Sequence, residues 1–323
     1  MMNSSNNIVG VIVVTCRLGK YVESCLDSLN KQTYSRLEIV VVDNSLSQNL
    51  RRTLLKNYPS IKLYSSPKNL SYCNSLNIGI SLTQTEFVLC LNDDVILDSQ
   101  FIEKGLGGFS IEPRIGMVSG KVLRWDKVTL DTIGLFLSAW RTAYERGYGI
   151  KDKGQFQKQG YIFGVNGAVA FYRRIMLEEI KEGDNYFDSD FCFFYEDLDV
   201  AWRAQHKGWK GYYVPEAIAY HLRGGSTRKL QGIGKPYARL YLNEELQAHL
   251  LKNRYIVLIK NESLLGFLLH IPFLLFYEIM VWSYILTLRP HQIKLFFRNF
   301  IYIKSALRKR RKIRQAHISE LPL

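Results

Sequence analysis

The first hundred residues alternate between short apolar runs and segments whose apolar residues recur every three or four positions. The runs are continuous and rich in β-branched residues, as strands buried on both faces are. They cover 8–16, 37–44, 62–66 and 86–94. Between them, 20–32 and 71–82 have the spacing of amphipathic helices. This alternation predicts an open parallel sheet with helices on its faces.

A less regular pattern continues beyond residue 100. Three further strand-like segments are 116–125, 164–174 and 211–221. Residues 194–209 predict a helix that begins near Glu196 and ends at Gly208. Residues 222–235 are polar and glycine-rich, which predicts a mobile loop, and 237–259 is helix-like.

One amide and two carboxylates interrupt the apolar run FVLCLNDDVIL at 87–97. Charged groups in a buried strand are costly unless something compensates them. Ligands bind outside the carboxyl ends of the strands in a doubly wound sheet, so Asp43 and residues 92–94 should line one crevice. Strand alternation predicts that Asn92 and Asp94 point the same way and that Asp93 points the opposite way.

These residue types suit Mg²⁺ or Mn²⁺, which needs one or two protein carboxylates when substrate phosphates supply other oxygens. An acidic turn that merely ends a strand is the alternative. The glycine patterns of other nucleotide folds are absent, because TCRLGKYV is not GxGxxG and GxxxxGK[ST] does not occur. Phosphate is therefore expected to be held through a metal ion.

A second acidic cluster, Glu196, Asp197 and Asp199, lies at the start of the predicted helix. A structural interpretation stays open for it, because the helix macrodipole favours acids at this position. Asp199 and Arg203 are also spaced for a surface ion pair. His221 follows a strand-like segment, and a lone histidine is more often structural than a metal ligand.

Several motifs occur in the order seen in family-two glycosyltransferases with the GT-A fold, which this chain resembles. They are VIVVTCR, SCLDSLNKQTY, LEIVVVDNS, LNDDV, NGAVAFYRR and FFYEDLDVAWRAQHKGWKGYYVPEAIAYH. The resemblance covers about residues 8–260 and looks most like the bacterial rhamnosyltransferase-type branch. It implies a Rossmann-like, mostly parallel α/β catalytic domain over 1–225, with a nucleotide-sugar half at 1–100 and an acceptor half at 101–225.

The resemblance also implies roles for single residues on the donor side. Those that match nucleotide-sugar-binding positions are Thr15, Asp43, Asn69, Asn92 and Asp93. Asp43 would accept a hydrogen bond from the base. Asp94 and His221 match metal positions, and the metal would be Mg²⁺ or Mn²⁺.

On the acceptor side, Asp197 matches the catalytic base and Glu196 its catalytic neighbour. Gly167, Trp202 and Arg203 match positions near the acceptor. The chemistry agrees, because sugar transfer passes through an oxocarbenium-like state and a base must take the acceptor proton. A cation on the opposite face would replace a general acid. A single base opposite the leaving group implies inversion.

The implied function is transfer of L-rhamnose from dTDP-rhamnose to a polysaccharide precursor, with a UDP-sugar donor as the alternative. The acceptor would be a glycan linked to undecaprenyl diphosphate. Cys16, Arg17 and Asn92 differ from residues usual in the family, and Ser71 replaces a glycine of its NxG segment. The first three departures favour an inactive glycan- or nucleotide-binding protein as the competing class, and the intact Asp94 and Asp197 oppose it.

Hydrophobic residues make up 47% of the 323 residues, which excludes a disordered chain. The start, MMNSSNN, lacks the pattern of a signal peptide, and the five scattered cysteines suit reduced thiols. We therefore expect a cytoplasmic protein. The net charge of +14 is concentrated near the end, where ten basic residues and no acid lie between 289 and 314.

Residues 263–288 form an apolar stretch long enough to span a bilayer, interrupted by Pro272. Basic residues flank it on both sides, which argues against a single crossing. We predict a flexible loop and helix closing the site at 226–260, and a membrane-associating region at 261–323. This region would form an interfacial or re-entrant hairpin broken at Pro272, on the anionic inner face of the cytoplasmic membrane. A buried helical pair and a nucleic-acid-binding tail are the alternatives, and we expect no nucleic-acid partner.

Overall fold

The structure, a computed structural model, describes residues 7–16, 21–222 and 244–319, without the side chains at 300 and 312–319. Arg17 and most of the predicted loop at 222–235 lie outside the described residues. The chain divides into two units. The first comprises Met1–Phe136, Glu145–Ser189 and Glu196–Lys235, and the second comprises Leu137–Tyr144, Asp190–Tyr195 and Pro236–Leu323. The predicted boundaries at 225 and 260 stay predictions.

Twelve strands lie in the described residues. They are β1 Val9–Thr15, β2 Leu37–Asp43, β3 Lys62–Ser65, β4 Phe87–Asn92, β5 Val95–Leu97, β6 Ile115–Arg124, β7 Leu130–Thr132, β8 Leu135–Leu137, β9 Ala143–Glu145, β10 Gly160–Ile162, β11 Val169–Arg173 and β12 Lys210–His221. The helices begin with α1 Val22–Asn30, α2 Gln48–Asn57, α3 Tyr72–Ser81, α4 Phe101–Phe109, α5 Arg174–Ile180 and α6 Glu196–His206. The second unit contains α7 Glu244–Asn261, α8 Leu264–Leu288, α9 His291–Arg298 and α10 Phe300–Ser319.

The first unit is built on a ten-stranded mixed sheet. The strand order is β10-β12-β6-β11-β4-β1-β2-β3, with β5 paired to β12 and β7 paired to β6. β4, β1, β2 and β3 are parallel, as predicted for the first hundred residues. β11 runs antiparallel between β4 and β6, and β12 is parallel to β6. The predicted α/β fold is confirmed. The sheet is less parallel than predicted, because four of the strand pairings among the described residues are parallel and five are antiparallel.

β1, in the middle of the parallel strands, is buried on both faces. All seven residues of β1 are buried, as its continuous apolar run requires. α3 approaches β1 closely at Gly79, where a Cβ atom would lie 2.2 Å from Ile12 Cγ2. Ser71, which replaces a family glycine, is the N-cap of α3, and its Oγ accepts from Asn74 N at 3.3 Å. This departure therefore has a local structural role.

The second unit is helical and contains one long apolar helix, α8. The predicted hairpin broken at Pro272 is wrong, because α8 continues through this proline. A proline removes one backbone hydrogen bond, and the remaining bonds of the 25-residue helix carry it past the defect. Its only acid, Glu278, is 2.7 Å from Arg254 of α7, whose guanidinium also lies over the Tyr277 ring at 4.0 Å.

Most apolar side chains of α8 are exposed. Within its most apolar window, with mean hydropathy 2.0, only 11% of the residues are buried. The buried contacts come from Val281 and Ile285, which pack against Leu251 of α7. By length and composition α8 is able to cross a membrane, and among the described residues it is the one helix that meets both criteria. Its exposure contradicts the alternative of an ordinary buried helical pair.

A short segment of the second unit, Asp190–Tyr195, is held by α7. Three of its non-glycine residues have positive φ angles, which are Cys192, Phe194 and Tyr195. Such conformations persist only where surrounding contacts impose them. The buried Asn253 side-chain nitrogen lies 2.6–2.8 Å from three carbonyl oxygens of the segment, those of Phe191, Phe193 and Phe194. Lys252 of the same helix donates to the carbonyl of Asp190.

Candidate active site

The acidic turn after β4 lies at the carboxyl edge of the parallel strands. Thr15 of β1 pairs with Asp43 of β2, and Val14 pairs with Asn92 of β4, so these strand ends meet as predicted. β4 ends at Asn92, and Asp93 and Asp94 form a turn before β5. The alternation of side chains along a strand therefore does not apply to them. The prediction that Asp93 points opposite to Asn92 and Asp94 assumed a continuous strand, which ends at Asn92.

The hydroxyl of Thr15 is hydrogen-bonded to this turn. Thr15 is fully buried, and its Oγ1 donates to Asp93 Oδ2 at 2.6 Å. Asp43 is also buried, and its Oδ1 accepts from Ser45 N at 2.8 Å. Asn69 is exposed in the connection between β3 and α3. The predicted donor-side residues thus surround one edge of the sheet, with Thr15 fixing Asp93.

Asp94 and His221 come together although they are far apart in sequence. His221 ends β12, where it pairs with Val95 of β5, next to the turn. Its Nε2 lies 3.3 Å from Asp94 Oδ1, and its Nδ1 lies 2.8 Å from Oδ2 of Asp131 on β7. Burial lowers the pKa of His221, but the hydrogen bonds with Asp131 and Asp94 outweigh it and raise the pKa to about 9. At neutral pH the imidazole is therefore protonated on both nitrogens, and each N–H faces a carboxylate.

The Asp94–His221 pair fits a divalent cation. Two neighbouring ligands about 2.1 Å from an ion stand about 3 Å apart in octahedral geometry, close to the spacing seen here. Carboxylate oxygen suits Mg²⁺ and Mn²⁺, and neutral imidazole nitrogen is a common metal ligand. A cation would take the position that the Nε2 proton holds between the two side chains.

Another group of three carboxylates lies in the first unit, and an arginine side chain lies against it. Ligand atoms of Glu182, Asp188 and Asp199 lie within 4.8 Å of one another. Arg203 Nε is 2.8 Å from Asp199 and 3.8 Å from Glu182. The guanidinium compensates these charges, so a metal ion is not needed there.

Arg203 was predicted as an acceptor-side residue, with a surface ion pair to Asp199 as the alternative. The ion pair forms, but it is buried, because this face of α6 turns inward. Arg203 also donates to the carbonyls of Ile180 and Tyr186. Trp202 is buried against Phe163 at a ring distance of 6.0 Å. The contacts of both side chains indicate packing roles.

The predicted base, Asp197, lies at the first turn of α6 and is fixed by two backbone amides. Its Oδ2 accepts from Gly167 N at 3.0 Å, and its Oδ1 accepts from Leu198 N at 2.8 Å. The hydroxyl of Tyr72 donates to Gly167 O at 2.9 Å. A Cβ atom on residue 167 would lie 3.3 Å from Glu196 Oε1, so a glycine leaves room for the acidic pair.

Asn92, the last residue before the acidic turn, and Asp197 are hydrogen-bonded to adjacent residues just before β11. Asn92 N donates to Ala168 O at 3.0 Å, and the neighbouring Gly167 N binds Asp197. Gly167 and Ala168 therefore connect the end of β4 to the predicted base. Sequence reasoning named Gly167 in this group but missed Tyr72 and Asp131.

Burial and the charge of Asp197 raise the pKa of Glu196 to about 8. Burial also raises the pKa of Asp197, while the hydrogen bonds from Gly167 and Leu198 oppose the shift. Glu196 Oε2 is buried without a hydrogen-bond partner. Asp197 should therefore ionise first, leaving the shared proton on Glu196 at neutral pH.

This order of ionisation predicts the pH profile of turnover. The wild-type kcat should rise as Asp197 ionises. A second inflection is expected near pH 8, where Glu196 loses its proton. Glu196→Gln cannot ionise at this position, so its profile should lack the second inflection. Steady-state kcat between pH 5 and 9 checks this, and persistence of the inflection in the variant would assign it to another group.

Comparisons with known proteins agree with this architecture. Residues 10–181, more than half of the chain, match the profile of Glycosyl transferase family 2. The chain is 22% identical over 204 residues to poly-beta-1,6-N-acetyl-D-glucosamine synthase of Staphylococcus aureus (strain COL), covering 62% of this chain and 46% of the relative. Its counterpart in Staphylococcus epidermidis is 24% identical with the same coverage. The chain thus spans about half the length of the curated relatives it matches.

Solved structures show the same fold. S. aureus TarS 1-349 in complex with UDP-GlcNAc aligns with a TM-score of 0.59 at 15% identity, covering 93% of this chain and 81% of TarS 1-349. GalNAc-T7 with UDP, GalNAc and Mn²⁺ aligns with a TM-score of 0.57 at 14% identity, covering 79% of this chain and 48% of GalNAc-T7. Together with the matched residues 10–181, the sheet and its acidic edge lead to one conclusion, that the chain belongs to glycosyl transferase family 2.

Proposed function

We propose that the protein is an inverting glycosyltransferase that moves a sugar from a nucleoside diphosphate to a hydroxyl group of a glycan. One observation carries this proposal. Asp197 is held by two backbone N–H groups, and one of these belongs to Gly167, whose neighbour Ala168 accepts a hydrogen bond from Asn92 just before the acidic turn. A fixed carboxylate beside a predicted diphosphate site is the arrangement that direct sugar transfer requires.

In this proposal the carboxylate of Asp197 accepts the proton of the acceptor hydroxyl as that oxygen attacks the anomeric carbon. Gly167 and Leu198 keep its oxygens oriented, which limits the carboxylate to one approach. Asp94 and His221 would hold Mg²⁺ or Mn²⁺, and this cation, when bound, would neutralise charge on the departing diphosphate. A single base on the side opposite the leaving group inverts the anomeric carbon.

Two donors are candidates. The relatives support UDP-GlcNAc, because the staphylococcal proteins are poly-beta-1,6-N-acetyl-D-glucosamine synthases and the TarS structure contains UDP-GlcNAc. The motif resemblance supports dTDP-L-rhamnose, and this support rests on the resemblance alone. Both donors present a pyrimidine base, a ribose-type sugar and a diphosphate to the same strand ends.

A donor panel tests the function. We expect release of nucleoside diphosphate from UDP-GlcNAc or dTDP-L-rhamnose when Mn²⁺ or Mg²⁺ and a glycan acceptor are present. GDP-mannose provides a third donor class, because a mannosyltransferase from Pyrobaculum calidifontis in complex with GDP-Man and Mn²⁺ shares the fold at a TM-score of 0.52. Nucleotide binding without release from any donor would contradict the enzyme and favour the inactive binding protein.

The proposed location is the inner face of the cytoplasmic membrane, with the protein peripheral or monotopic and the acceptor linked to undecaprenyl diphosphate. The exposed apolar surface of α8 supports membrane association. α10 adds three exposed cations around one groove, together with Ile301 and Leu307. These cations are Lys304, Arg308 and Arg311. Apolar and cationic side chains in one helical unit suit an anionic lipid surface.

Charge reversal of these three α10 cations to Glu should weaken binding to vesicles that contain phosphatidylglycerol. Each cation near an anionic surface contributes about 1 kcal/mol, so losing three lowers the partition coefficient at least about a hundredfold. The matched control reverses Arg51, Arg52 and Lys56, three exposed cations of α2, with the same change in net charge. Vesicle flotation measures both variants. Equal flotation of the two variants would contradict membrane binding through the α10 cations. Loss of duplex DNA binding in the α10 variant alone would favour the nucleic-acid alternative.

A further inference from the structure

Asp131, a residue outside every predicted site, is turned inward by an irregularity in the sheet. In the pairing of β6 with β7, Val122 pairs with Thr132 and Leu123 pairs with Leu130. Asp131 is therefore the extra residue of a β-bulge. Bulges redirect a side chain relative to the regular alternation of a strand. Here the redirected side chain is a carboxylate that is completely shielded from solvent.

Among the described residues, the carboxylate of Asp131 faces the imidazole of His221 and the guanidinium of Arg124. Its Oδ2 lies 2.8 Å from His221 Nδ1, and its Oδ1 lies 3.8 Å from Arg124 Nε. Arg124 pairs with His221 in the parallel register of β6 and β12, and its guanidinium also lies over the Tyr148 ring at 4.8 Å. A buried carboxylate is retained only where such partners compensate its charge.

His221 has two nitrogens with different neighbours. Nδ1 meets Asp131, and Nε2 meets Asp94. A hydrogen bond from one imidazole nitrogen to a carboxylate fixes the ring orientation and leaves the lone pair on the other nitrogen for a ligand. The ring separates Asp131 from Asp94, so Asp131 lies on the side of the imidazole away from the predicted cation.

We propose that Asp131 is a positioning residue for metal binding. It holds the proton on His221 Nδ1 and thereby directs the Nε2 lone pair to a divalent cation shared with Asp94. This inference rests on the proposed metal role of Asp94 and His221. It adds a third carboxylate to the site, one that acts through the histidine and does not touch the cation.

Asp131→Asn tests the inference with little change in shape. The amide can present N–H to Nδ1, which favours the tautomer with its proton on Nε2, and that tautomer cannot bind a cation. Loss of such a supporting partner weakens metal binding 10- to 100-fold in characterised sites. We expect a shift of this size in the Kd for Mn²⁺ alone, measured on the full chain from the electron paramagnetic resonance signal of free Mn²⁺.

Asp152→Asn is the matched control. Asp152 also compensates a cation of β6, since its Oδ2 lies 2.9 Å from Lys121 Nζ, but its ion pair does not include His221. It should leave the Kd for Mn²⁺ unchanged. Asp94→Ala distinguishes failure of the proposed metal site from failure of the role of Asp131. Unchanged Mn²⁺ binding in Asp94→Ala would overturn the metal site and the inference with it. Strong loss in Asp94→Ala together with wild-type binding in Asp131→Asn would overturn the inference alone.

A measurement on the unmodified protein covers the case in which Asp131→Asn does not fold. With saturating Zn²⁺, a diamagnetic cation that binds both imidazole nitrogen and carboxylate oxygen, the ring nitrogens of His221 can be distinguished by long-range ¹H–¹⁵N correlation spectra. We expect the proton on Nδ1 and none on Nε2. A proton on Nε2 in the Zn²⁺-loaded protein would overturn the proposal.

Discussion

Asp197→Asn should fold like the wild type and lose two to four orders of magnitude in kcat, the contribution typical of a general base. Asparagine keeps the size of the side chain and an acceptor oxygen for one of the two N–H groups, those of Gly167 and Leu198, and only the other hydrogen bond is lost. It cannot accept the proton of the acceptor hydroxyl. The Kd for the donor should change little, because the proposed diphosphate contacts belong to the acidic turn.

The expected split between kcat and donor binding makes this result specific. A variant that merely misfolds would lose both together, whereas loss of the base lowers kcat alone. Asp184→Asn is a suitable control, since Asp184 is an exposed carboxylate shortly before α6. Turnover in Asp197→Asn close to that of the control would remove Asp197 from the role of base.

Local sequence patterns predicted the elements that carry strong periodicity. The buried run at 8–16 became β1, and the acid-rich start of α6 fell at Glu196 as predicted. α2 was missed because only Leu50 and Leu54 of its ten residues are buried, a stripe too narrow to recognise. The strand order could not be predicted, since the antiparallel β11 between β4 and β6 depends on packing between distant segments.

At the candidate site, the separation of residues along the sequence predicted some contacts and not others. The four-residue separation of Asp199 and Arg203 predicted their ion pair correctly, but it does not report which face of a helix turns inward. Asp131 has no sequence signal, because a bulge in a three-residue strand determines its orientation. The proximity of Asp94 and His221 came from the family resemblance, and the sheet provides its physical cause by pairing β12 with β5.

Asp94→Ala should abolish the metal dependence of nucleoside diphosphate binding. The variant loses one of the two proposed ligands, while His221 keeps its bond to Asp131 and the surrounding strands keep their pairing. We expect affinity for UDP or dTDP in the presence of Mn²⁺ to fall about a hundredfold, roughly 2.7 kcal/mol, toward the value measured with a chelator.

Calorimetric titration with Mn²⁺ and with EDTA measures both states of each protein. Asp98→Asn is the control, because this carboxylate lies just after β5 and accepts from Gln100 N at 3.2 Å, away from His221. The control should keep the difference between the two conditions. Should the wild type bind the nucleotide equally well with and without chelator, the acidic turn would not hold a cation. The costly placement of Asp93 and Asp94 would then be explained by the hydrogen bond from Thr15 and the contact with His221.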